Sequence, residues 1–129
     1  MALVGAALLL AGPARAGSYL DRAAILLEGA TRELDMLEGR TGDKETVAVI
    51  HALAETRARA ARRMEVPAAV TRAHPHLLLV LENCERASEA AAEGNTSKFL
   101  ERLQTARDED RSFRAALGKL GYTLPHVGR

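Results

Sequence analysis

Four successive stretches of this chain place apolar residues three or four positions apart, and each stretch is closed by glycine or proline. That spacing gathers side chains on one face of an α-helix, whereas a half-buried strand needs alternation at every second residue. No stretch shows such alternation between turn residues, so the sequence predicts an all-α fold.

The first helix is expected to start at Ser18, with Asp21 three residues on as an approximate capping box. Its stripe is Tyr19, Ala23, Leu27, Ala30, Leu34 and Leu37, and Gly39 supplies the stop. Asp43 caps the second helix, whose face reads Val47, Ile50, Ala54, Ala58, Ala61 and Met64 and ends before Pro67. The third either runs from about Ala68 with a kink at Pro75 or begins with Pro75 in its first turn, where a missing N–H costs little. Its stripe is Leu77, Leu81, Cys84, Ser88 and Ala91, closed by Gly94 and Asn95. The fourth carries Phe99, Leu103, Ala106, Asp110, Phe113, Leu117 and Leu120, with Gly121 as its stop. Asp110 alone breaks that stripe, and Arg114 and Arg107 are placed to pair with it.

Helices of about 20–24 residues span roughly 30–36 Å. Matched lengths and short connectors predict an antiparallel up-down-up-down four-helix bundle over residues 17–122. A short tail, 123–129, contains Pro125 and is expected to leave the bundle surface.

Ahead of the bundle, residues 2–12 form an uncharged apolar run, followed by Pro13 and Ala14-Arg15-Ala16. Small residues at 14 and 16 after such a run read as a secretory signal peptide, residues 1–16, too short to span a bilayer. The run departs from the usual pattern in having no Lys or Arg before it, as a misassigned start or a shortened leading region would give. Alternatively, residues 2–12 extend the first helix. Cleavage after Ala16 removes Arg15 and no acid, leaving 17 basic residues against 17 acidic ones. The mature chain is neutral.

Charge and composition narrow the function classes. With 18 Lys+Arg against 17 Asp+Glu, no strong field draws the chain to nucleic acid or a membrane surface. Two Tyr, two Phe and no Trp leave no stacking platform for bases or sugars. One cysteine excludes a disulfide framework, a Cys-rich zinc site and c-type haem attachment.

Candidate chemistry is sparse. Di-metal bundles use Glu-x-x-His pairs, but here Ala48, Thr71, Ala73 and Thr123 stand three before the four histidines. Met36, Met64 and His51 are the inward candidates for a haem, and they read more simply as core filling. His74 and His76 flank Pro75 and are candidate metal ligands, although two ligands fall short of the three or four a zinc site needs, and His74 also fits an N-cap. Arg59, Arg62, Arg63 and Arg72, with Arg57, form a basic cluster and a candidate anion site. Opposite it, Glu82, Glu85, Glu89 and Glu93 form an acidic stripe, and solvated faces explain both without a ligand. No strand-to-helix elbow surrounds any serine. Cys84 and His51 are a candidate thiol–imidazole pair: with helices two and three antiparallel about Pro67, they face each other. A longer connector would shift that register, and Cys84 lies on the core stripe, where burial suppresses thiol reactivity.

The functional expectation is an exported, periplasmic or secreted bundle of bacterial origin, binding or accessory in role, with no catalytic centre and no cofactor. Its partner would be another protein or a second copy of itself. It would bind no nucleic acid and, once the signal is removed, hold no membrane span. Without a cleaved signal the expected location is the cytoplasm. The alternatives are a small-ligand or metal carrier using the His74/His76 end or the bundle interior, and a thiol-dependent enzyme using Cys84 and His51.

Overall fold

A computed structural model describes residues 2–127, with side chains described from Ala16 onward. The expected signal segment therefore lies, apart from Ala16, outside the residues whose side chains are described. Among the described residues the chain is all-helical: α1 (Ala2–Glu38), α2 (Lys44–Arg62), α3 (His74–Ala92) and α4 (Thr96–Lys119), with a 3-10 turn at Ala68–Val70 and no strand. Four helices without strands are consistent with a four-helix bundle. α3 is the central element, packing most extensively on α4 and then on α2, while α1 rests on α2 and α3 and barely touches α4.

The stripes become the core. Tyr19, Ala23, Leu27, Ala30, Leu34 and Leu37 of α1 are all buried, as are Val47, Ile50, Ala54, Ala58 and Ala61 of α2. α3 buries its expected stripe and also Val80, Asn83, Ala87 and Ala90, the wider face a central helix requires. Phe99, Leu103, Ala106, Phe113 and Leu117 complete the core from α4.

The ends follow from local chemistry at some places and depart from it at others. Asp43 accepts from the Thr46 backbone N–H at 3.2 Å and Asn95 from that of Lys98 at 3.0 Å, so both act as N-caps. Of the two starts weighed for α3, the later is found: Pro75 lies in the first turn, after a 3-10 turn. The cap residue is Ala73, so His74 is not a cap. α1 does not begin at Ser18; the backbone is helical through it, and the Ser18 hydroxyl accepts from Arg22 one turn on. Gly94 and Gly121 end their helices at φ 75° and 90°, a region that disfavours side-chain-bearing residues, whereas Gly39 closes α1 without a positive φ.

The tail also departs from expectation. Gly121 turns the chain so that the Tyr122 N–H reaches back to the Leu117 carbonyl, and Tyr122 and Leu124 pack against the core instead of leaving it.

Candidate functional site

The chemistry-bearing residues singled out by sequence are dispersed through the fold. His74 and His76 are two positions apart on α3, so they point to different sides of the helix. His74 turns inward, where its Nδ1 lies 2.8 Å from the Tyr19 hydroxyl of α1, the rings edge to face at 5.7 Å between centroids. Burial lowers the pKa of His74, and the neighbouring Ala61 carbonyl works against that shift. In the tautomer that leaves Nδ1 unprotonated, this nitrogen accepts the hydrogen bond from the Tyr19 hydroxyl. Burial in turn raises the Tyr19 hydroxyl well above its ordinary range, so it stays a donor. His76 turns toward α4, its Nδ1 2.8 Å from the Glu109 carboxylate. Each imidazole thus has its own partner, and no group of three or more His, Cys, Asp or Glu placed to hold a metal occurs among the described residues.

Cys84 is 3% exposed and free of disulfide. Desolvation pushes its thiol up to about 12, and Asp110 adds to the shift. A small, partly open space beside it, lined by Leu34, Val80 and Leu103 among others, measures about 20 Å³. No hydrogen bond joins Cys84 and His51 among the described residues. The His51 ring lies instead 3.9 Å from Glu55 on its own helix.

Of the arginine candidates, Arg59, Arg63 and Arg72 are exposed, and Arg62 reaches Glu82 of the acidic stripe at 3.8 Å. Arg57 behaves differently. Its guanidinium grips the Glu33 carboxylate of α1 in a two-pronged pair, Nη2 to Oε2 at 2.7 Å, with both side chains 19% exposed. It lies over Gly29, where a Cβ would stand 2.7 Å from Nη2. Glu33 is a residue the sequence did not single out, because its partner comes from another helix. Asp110 pairs with Arg114 at 3.0 Å, as its i,i+4 spacing suggests.

An open concavity lies elsewhere. At the end of the molecule that holds His74, α1 and the α2–α3 connector diverge around a trough of about 770 Å³. Ile25 and Leu26 line it from α1, Met64 and Val66 from the connector. Ile25 is 58% exposed, a large apolar side chain left in solvent. Arg22 and Arg63 stand at the rim with Glu65, and neither arginine has a carboxylate within ion-pair distance among the described residues. Just beyond, Arg57 lies against Gly29 and closes the space between α1 and α2. Sequence reading picked Arg63 for its charge but missed the trough. The available signal was Ile25, an apolar residue off the α1 stripe, one turn from Arg22.

No helix among the described residues is long and apolar enough to cross a membrane. No known protein family, curated protein or solved structure matches the chain.

Proposed function

We propose that this chain is an exported, non-catalytic binding module, built as an antiparallel up-down-up-down bundle, whose working surface is the trough between α1 and the α2–α3 connector. The observation that carries the reading is a contrast. Cys84, His74, His76 and Asp110 are occupied by packing or by partners inside the fold, while an apolar trough flanked by arginines with no carboxylate partner among the described residues stays open to solvent. Binding sites are typically concave, largely apolar and furnished with a few polar groups, in volumes of roughly 300–1,000 Å³.

The helix directions are supported by side-chain levels: His76 pairs with Glu109 and Asn83 with Arg102, so α4 numbers fall as α3 numbers rise. Export is supported by the apolar run ending in Ala14-Arg15-Ala16. Among the described side chains, cleavage there would remove Ala16 and keep Tyr19 and the rest of the α1 stripe.

The test is native mass spectrometry of the protein purified from an exporting host, beside the Ala60→Trp variant. Ala60 lines the trough and is itself exposed, so the larger ring fills the space without entering the core. The expected result is a chain beginning at Gly17 that retains a noncovalent small molecule, lost in the variant. A ligand retained equally by Ala60→Trp, or a bound metal ion, would move the site to the interior or to the histidines and overturn the reading.

A further inference from the structure

The trough's shape and charge go further and specify what it takes. We infer that it binds the monomeric carboxylate of a medium-length alkyl chain, with the tail on Ile25, Leu26, Met64 and Val66 and the head between Arg22 and Arg63. This rests on the binding-module reading above and names its ligand class.

Three observations support it. First, the rim carries two guanidinium groups, Arg22 and Arg63, and one carboxylate, Glu65, a balance of one positive charge that a single monoanion neutralises. Guanidinium groups present paired N–H donors that match the two oxygens of a carboxylate. Arg22 is already held at one nitrogen by the Ser18 hydroxyl, which fixes the arm while leaving its other donors available. Secondly, the floor is aliphatic: Ile25, Leu26, Met64 and Val66, with Pro67 at its margin and no aromatic ring to stack on a planar ligand. Methionine's unbranched thioether adapts to a flexible chain. Thirdly, the trough is bounded at one end. Among the described residues its α1 lining runs from Ser18 to Leu26, about 12 Å of helix. The next level is closed by Arg57 lying over Gly29 and locked to Glu33. A partner helix laid between α1 and α2 would have to run through that ion pair, whereas an alkyl tail of limited length ends before it. The space beside Cys84, about 20 Å³, is too small for such a chain, so the tail stays at the trough.

The experiment is a titration of the 15N-labelled full chain with sodium decanoate below its micellar range, read by amide chemical shifts. Saturable shifts are expected at Arg22, Ile25, Met64 and Val66, with the α4 amides unmoved. Arg22→Gln/Arg63→Gln should weaken decanoate binding about tenfold or more, because charged hydrogen bonds are lost at an otherwise intact surface. Decanol should bind the wild type no better than decanoate binds that double variant, and Ala60→Trp should bind neither. Circular dichroism and the unfolding midpoint should match wild type in all variants, since none of the three positions lies in the core. Equal affinity of wild type and double variant for decanoate would overturn the inference. So would binding confined to anionic phospholipid vesicles, or shifts that track protein concentration as a dimer forms on the same face. If decanoate fails while the host-purified protein carries a different adduct that Ala60→Trp abolishes, the carboxylate assignment falls and the binding-module reading stands.

Discussion

Replacing Leu103 by alanine should be among the costliest single truncations in α4. Leu103 is 3% exposed and lines, with Leu34, Val80 and Cys84, the small space between α1, α3 and α4. The change removes three buried carbons, worth about 2.4 kcal/mol in transfer free energy. The cavity left behind adds to this at about 24 cal/mol per Å³, because α3 and α4 are too closely packed to collapse fully. The space of about 20 Å³ beside Leu103 is already present in the wild type, so only the newly opened volume adds to the cost. A total of about 3–4 kcal/mol is expected. Glu89→Ala, on the solvent face of α3 and without a side-chain partner among the described residues, should change stability by less than about 0.5 kcal/mol. Urea unfolding followed by circular dichroism measures both, provided the slope m is unchanged between variants. A Leu103→Ala cost below about 1 kcal/mol, or a Glu89→Ala cost exceeding it, would refute the face assignments of α3 and α4.

Further expectations concern the interior. Cys84 should label slowly with a thiol reagent at neutral pH and rapidly once denaturant is added, since burial holds the thiol at about 12; fast labelling of the folded protein that slows in His51→Ala would instead revive the thiol–imidazole pair. The His74 imidazole resists protonation in the fold, so its contribution to stability is complete above the unfolded value of about 6.5 and is lost as pH falls below it. The melting temperature should therefore drop from pH 7 to pH 5 more steeply in wild type than in His74→Asn, and parallel slopes would contradict this. Asp43, lowered by its bonds to Thr46, loses its contribution in a separate window, below the ordinary carboxylate range. Gly29→Ala should be near-neutral or destabilising in wild type, because the added Cβ displaces the Arg57 guanidinium. In an Arg57→Ala background it should stabilise by about 0.5–1 kcal/mol, the usual helical gain; the same sign in both backgrounds would show that Arg57 does not depend on the missing side chain.

The helices were legible because each stripe repeats within its own segment. Tyr19 to Leu37 and Phe99 to Leu117 needed no partner to be recognised as core faces, and Asp43 and Asn95 act on their own first turns. Pairings between helices were not legible. Tyr19 with His74 and Glu33 with Arg57 join residues 55 and 24 positions apart, and periodicity carries no lateral register. The tail misled for a related reason: Pro125 suggested departure, but Gly121 had already turned Tyr122 and Leu124 back onto the core. The trough was hidden because it arises from divergence of α1 and the connector, where stripes describe contact and not its absence. His74-Pro75-His76 drew attention as a local motif, yet helical geometry sends its two rings to Tyr19 and Glu109.

Where a ligand lies is the most direct test of a trough-centred function. Isotope-filtered nuclear Overhauser spectra of the 13C-labelled protein with unlabelled decanoate report contacts between ligand methylenes and protein methyl groups. The expected contacts are to Ile25, Leu26, Met64 and Val66, with none to the core methyls of Leu34, Leu81 and Leu103. Contacts to those core methyls, or to the exposed Leu79 and Leu100 on the opposite helices, would place the binding surface elsewhere and contradict the assignment.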